Sequence, residues 1–191
     1  MKYQHKVLAA VIAASFACGG ALALTKDEYK AQKDRIGADY KAAKDNCATL
    51  KANAKDICVS EAKGFEKVAK AEVEAQYKPS DNSAYKVNEA RADAAFDTAK
   101  ERCDDLAGNA KDVCVKDAKA AHTRALAEAK VNKVAGQATA AKNQKVSDAV
   151  IDANKDINEA NYKAAKERCD TFAGDVKSRC VGDLKVKFGK T

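Results

Sequence analysis

Six of the seven cysteines form three pairs, each eleven positions apart: Cys47 and Cys58, Cys103 and Cys114, Cys169 and Cys180. Cysteine pairs serve three kinds of chemistry. Thiol oxidoreductases set their cysteines two apart at a helix start, which lowers the pKa of the nucleophile. A ten-residue gap written three times does not have that form. Zinc sites need clustered cysteine pairs or histidine partners, and neither is present. Structural disulfides need an oxidising compartment and Cα atoms within roughly 7 Å. The third reading fits. Six cysteines allow fifteen connectivities, and the repetition selects the one in which each copy pairs within itself.

Other chemistry is sparsely provided. Apart from His5 near the N-terminus, the only histidine is His122, between Ala121 and Thr123 on a polar stretch, which reads as a surface residue. Carboxylates flank the cysteines: Asp45, Glu101 and Glu167 before them, Asp104, Asp105 and Asp170 after. They lack the alternating acids and closing glutamate of a calcium loop, so they read as helix-surface charges. No phosphate-binding glycine loop, H-E-x-x-H or nucleophile elbow appears. No catalytic residue, cofactor or metal is expected. Lysines recur at Lys44, Lys100 and Lys166 and again at Lys55, Lys111 and Lys177. They read either as a cationic ridge for an anionic partner or as the charges that keep alanine-rich helices in water. Without an aromatic stacking surface or an arginine cluster, nucleic acid is not expected.

The cysteines must be positioned by the repeat around them. It runs YKAAKDNCATLKANAKDICVSEAK from Tyr40, FDTAKERCDDLAGNAKDVCVKDAK from Phe96 and YKAAKERCDTFAGDVKSRCVGDLK from Tyr162. Counted from the first cysteine, Tyr29, Tyr85 and Ile151 lie eighteen before it, Tyr40, Phe96 and Tyr162 seven before, and Leu50, Leu106 and Phe172 three after. Such intervals return to one helical face, which predicts helical arms with a narrow apolar seam. Alanine and lysine dominate and Pro79 is the single proline, so helix formers prevail throughout.

A helix running straight through both cysteines would hold them about 16.5 Å apart at 1.5 Å per residue, too far to bond. The intervening residues predict a turn instead. Gly108 ends one helix in a positive-φ conformation, Asn109 opens the next, and Asp112 falls in the new first turn. The third copy has Gly174, Asp175 and Ser178 in these places. The first has Ala52, Asn53 and Asp56, without glycine. A valine follows each second cysteine (Val59, Val115, Val181) and is expected beside the bridge. The expected fold is all-α: three disulfide-closed helical hairpins, about six helices, elongated or loosely bundled. Whether they stack or string out as a rod is not readable from the pattern.

The N-terminus sets the compartment. Lys2, His5 and Lys6 precede an apolar run over 7–17, and Ala21-Leu22-Ala23 offers a small-x-small site. That is the layout of a secretory signal peptide cut after Ala23. A membrane anchor is the rival, but Gly19-Gly20 interrupts a run that would need about 18 apolar residues. A lipoprotein reading through Cys18 is the other, and it lacks the usual aliphatic residue three positions earlier. Cleavage removes Cys18, leaves an even number of cysteines, and lowers the net charge from +7 to +5. The expected organisation is a leader over 1–23 and hairpins over 24–78, 79–136 and 137–191. Breaks are expected around Pro79 and at 136–145.

The strings Y-K-A-A-K-x-x-C, at Tyr40 and Tyr162, and G-N-A-K-D-V-C-V-K-x-A-K, at Gly108, resemble a group of exported alanine- and lysine-rich helical repeat proteins of Gram-negative bacteria, some labelled TolA-like on composition. The resemblance implies a periplasmic location and no catalytic residue. The function expected is non-enzymatic: an envelope-associated scaffold or interaction and stress factor. The alternative is a small periplasmic chaperone for unfolded or acidic clients. The partner is an unidentified protein or an anionic envelope component.

Overall fold

The computed structural model describes residues 23–136 and 143–190. The leader up to residue 22, with Cys18, and most of the predicted joint at 136–145 lie outside the described residues.

Six helices follow one another: α1 (Lys26–Cys47), α2 (Ala52–Tyr77), α3 (Asp81–Cys103), α4 (Gly108–Gly136), α5 (Asn143–Cys169) and α6 (Gly174–Lys187). No strand occurs among the described residues. The chain starts α1 and α3 with reciprocal side-chain caps. Thr25 Oγ1 accepts from the Glu28 amide at 3.3 Å while the Glu28 carboxylate accepts from the Thr25 amide at 2.8 Å. Ser80 and Ser83 exchange the same two bonds at 2.9 and 3.0 Å. Such caps satisfy amides that the first helical turn leaves unpaired. The break at Lys78-Pro79 falls where the sequence places it, between the end of α2 and the start of α3.

Each helix packs chiefly on the one before and the one after it. Cross-helix contacts run in opposite chain directions throughout: Lys67 meets Asp93 and Arg91 meets Glu72, while Lys116 meets Glu167 and Arg124 meets Asn161. The result is an open antiparallel row, so the hairpins stand side by side. The three necks lie along one edge of the row, with the α2–α3 joint along the other.

The core is thin, as the composition predicts. Its buried members are mostly alanines, among them Ala90, Ala129, Ala153 and Ala164, joined by Val73, Val87 and the first cysteine of each pair. Small side chains let helices approach closely. At Gly64 on α2, a Cβ would lie 2.8 Å from the Cβ of Ala94 on α3, so this crossing admits only glycine.

The apolar seam departs from the expectation in one respect. Leu50, Leu106 and Phe172 are 42%, 44% and 48% exposed. Each first arm ends at its cysteine, so a residue three further on has left the helix and its face. Ile151 is also turned to solvent, and Ala149 and Ala153 take the buried positions beside it. Tyr29 stays in contact, stacked on Tyr77 with ring centroids 4.4 Å apart.

Candidate functional site: necks and seams of the hairpin row

All three cysteine pairs are bonded within their own copies, with Cα separations of 5.6, 5.7 and 5.7 Å. The first arm closes with backbone bonds from Leu50, Leu106 and Phe172 to the carbonyls of Cys47, Cys103 and Cys169, at 3.0, 3.0 and 3.1 Å. The chain then reverses and enters the second helix at Ala52, Gly108 and Gly174, with φ of +49°, +54° and +56°. The glycines therefore open the second arm instead of ending the first. Because α4 begins at Gly108, Asn109 is not its first residue and Asp112 falls just past its first turn. Asp175, placed next to Gly174, does lie in the first turn of α6.

Cys47, Cys103 and Cys169 are at most 1% exposed, whereas Cys58, Cys114 and Cys180 are half-buried beside half-buried Val59, Val115 and Val181. Thiol–disulfide exchange requires an attacking thiolate to reach a sulfur, and one sulfur of every bridge is shielded. The geometry is that of a clasp. In the second and third copies an ion pair spans the turn: Lys111 to Asp104 at 2.9 Å and Lys177 to Asp170 at 2.8 Å. The Lys177 hydrogen bond holds the Asp170 carboxyl below its ordinary pKa, and Asp104 correspondingly raises that of Lys111. The first copy has Ala48 in the acid's place and no such pair.

Three disulfides imply a non-cytoplasmic, oxidising compartment. Among the described residues no helix is long and apolar enough to cross a membrane, and no group of three or more histidine, cysteine or acidic side chains is placed to hold a metal.

Between successive hairpins lie two seams in matching register. An acid three residues after the second cysteine reaches an arginine one residue before the next first cysteine. Glu61 meets Arg102 at 2.6 Å across α2–α3, and Asp117 meets Arg168 at 2.5 Å across α4–α5. Exposed pairs of this kind are each worth about 0.2–1 kcal/mol, so they fix register more than stability. An open groove runs along each seam. The first, of about 690 Å³, is lined by Ser60, Lys63, Gly64, Lys67, Asp97 and Lys100 among others. The second, of about 240 Å³, is lined by Lys116, Lys119, Ala120, Asp156, Ala160 and Lys163 among others. Of the recurrent lysines predicted as a ridge, Lys100 lies in the first groove, while Lys111 and Lys177 are held at the turns.

His122 is not the surface residue that its polar neighbours predict. Its Nε2 lies 2.7 Å from Asp93 on α3, its side chain is 21% exposed, and its ring stacks on Phe96 at 5.0 Å. Asp93 also accepts from Lys67 of α2 at 2.6 Å, so one carboxylate ties three helices. Burial pushes the Asp93 pKa up, but the hydrogen bonds from Lys67 and His122 together overcome it and leave the carboxyl below its ordinary value. The same register recurs in the third hairpin. Phe96 lies seven before its first cysteine and His122 eight after the second, the positions at which Tyr162 meets Phe188 edge-on at 5.9 Å.

Comparison with protein-family models, curated proteins and solved structures finds no match to this chain.

Proposed function

We propose that the chain is a non-enzymatic periplasmic helical repeat protein, exported by its leader, that acts as an envelope-associated scaffold or interaction factor. The observation that carries this reading is the open row itself. Clasped hairpins stand side by side and leave two lysine-bearing grooves facing solvent. Lys63, Lys100 and Lys119 in those grooves take part in no ion pair among the described residues, and they stand among acids, Asp56, Asp97 and Glu101 in the first groove and Asp156 in the second; the grooves thus offer mixed charge, with these lysines as the groups for an anionic envelope component. The resemblance to exported Gram-negative repeat proteins supports the periplasm as the oxidising compartment. The test is a crosslinked pull-down from the periplasm together with co-sedimentation on purified peptidoglycan. The scaffold reading expects capture that weakens in a Lys63→Gln, Lys100→Gln, Lys119→Gln variant. Capture of nothing, or capture indifferent to those lysines, sinks it.

A second reading, a chaperone-like binding protein for unfolded or acidic clients, is favoured by the apolar tips Leu50, Leu106 and Phe172, exposed at equivalent places on three turns. Suppression of client aggregation that disappears when all three become serine would support it. Failure to suppress aggregation under acid or heat removes it.

A further inference from the structure

The chain builds one seam twice, α2 on α3 and α4 on α5, and each side of that seam has a signature. The second-arm side carries an acid three residues after its cysteine and a small residue six after it. These are Glu61 with buried Gly64, and Asp117 with Ala120 at 7% exposure. The first-arm side carries alanine nine residues before its cysteine (Ala94, Ala160) and a buried small residue five before it, Thr98 at 9% and Ala164 at 4% exposure.

Both signatures appear once more at the two ends of the row, with no partner helix among the described residues. α6 offers Asp183, which makes no ion pair among the described residues, and Val186, which is 84% exposed at the place where Gly64 and Ala120 are buried. α1 offers Ala38 and Ala42, both exposed. The likeness of α1 to α5 is close: DRIGADYKAAKDNC from Asp34 against DINEANYKAAKERC from Asp156. Asp156, Ala160 and Lys163, which line the α4–α5 groove, thus have Asp34, Ala38 and Lys41 as counterparts. End repeats of an array normally present a polar outer face, and Val186 breaks that rule.

We infer that a second copy of this chain covers the free α1 face with its own α6, rebuilding the α4–α5 seam between molecules. The contact is heterologous, since the α6 of one copy meets the α1 of the next, so it leaves one free face at each end and can propagate. It is also weak by construction. α6 has 14 residues where α4 has 29. α1 has Asn46 where α3 and α5 have arginine, so Asp183 meets a neutral amide and the charge-assisted pair of the internal seams is missing. The inference rests on the internal seams alone and stands whether or not the row binds an envelope component.

Sedimentation velocity of the purified oxidised protein over a rising concentration series tests it. Weight-average mass should grow with concentration, and Ala42→Glu or Val186→Glu should each return the protein to monomer. These residues are exposed, so the variants should keep wild-type helicity. An equimolar mixture of A42E and V186E should form one-to-one dimers and nothing longer, because each supplies the face that the other has lost. Asn46→Arg should tighten association by up to about fivefold, the return of one exposed charged pair. A protein that stays monomeric in both wild-type and N46R forms overturns the inference. So does association that persists undiminished in A42E and V186E.

Discussion

Removing the third clasp tests how much of the molecule rests on it. α6 has no buried residue. Apart from the Cys169–Cys180 bridge, it and the residues just after it are held by the Lys177–Asp170 pair across the turn, by the edge contact of Phe188 with Tyr162, by Asn158 donating to the Phe188 carbonyl at 3.0 Å, and by the Lys190–Glu159 pair. Contacts of this exposed kind contribute a few tenths to about 1 kcal/mol each, and an isolated helix of 14 residues is marginal in water. Closing so short a loop is worth about 3 kcal/mol in the chain-entropy account, or roughly two decades in an opening equilibrium. A Cys169→Ala, Cys180→Ala variant should therefore lose about a hundredfold of amide-exchange protection in α6 while α2 to α4 keep theirs. The matched Cys47→Ala, Cys58→Ala variant should leave α2 protected. That helix also buries Ala62 and Val73, and its Asn53 donates to the Glu101 carbonyl at 2.8 Å. Unchanged protection in α6, or equal loss from α2 and α6, would refute the claim that the clasp and not packing holds the last helix.

Three further outcomes follow from single positions. Ala52 is the one non-glycine residue at positive φ among the described residues; Ala52→Gly should relieve about 0.5–1 kcal/mol after the entropy of the unfolded chain is counted and raise the melting temperature by about 1–4 °C. Gly64→Ala should destabilise by about 1–3 kcal/mol, since the new Cβ would meet that of Ala94 at 2.8 Å; adding Ala94→Gly should restore much of the loss in chemical denaturation. Asp93 has a lowered pKa in the folded protein, so on acidification the unfolded chain takes up its proton first. Its contribution is intact above the ordinary aspartate pKa of about 3.9 and declines as pH falls through the folded value. Asp93→Asn should be less stable at neutral pH and show a flatter stability profile below about pH 4.

Features that depend on local covalent or backbone constraint could be read from the sequence. The cysteine spacing rules out a continuous helix between bonded partners, and a positive-φ residue falls at Gly108 and Gly174 as a reversal requires. The hairpin turns follow from these two facts, the internal pairing from the threefold repetition, and the all-α class from the helix-forming composition. Features that depend on which helix faces which could not be read from one repeat. Leu106 matches the apolar period, but periodicity assumes a helix that in fact stops at Cys103. Glu61 and Asp117 look like ordinary surface acids until α3 and α5 bring Arg102 and Arg168 to them. His122 sits among polar neighbours, and only the stacking of α4 on α3 puts Phe96 beneath its ring. A signal was nevertheless present: arginine precedes the first cysteine in the second and third copies, where the preceding hairpin supplies an acid, and asparagine in the first copy.

That difference bears on how the molecule would come apart and on which function it can serve. With each helix packed mainly on its neighbours, stability is close to a sum of nearest-neighbour terms. The terms are unequal. Contacts inside a hairpin have a disulfide behind them; seams between hairpins have alanine packing and exposed ion pairs. The α2–α3 and α4–α5 seams are therefore where the row can open while each hairpin stays closed at its neck. Opening would uncover Val87, Ala120 and Ala164, which are buried in the closed row. A client-holding function needs that uncovered surface and should grow stronger as the seams loosen. A scaffold needs the closed row and should weaken under the same stress. A Glu61→Lys, Asp117→Lys variant, with both seam pairs reversed in sign and all clasps intact, should move the two activities in opposite directions. Client holding that fell together with partner capture would mean that the seams are not the surface in question.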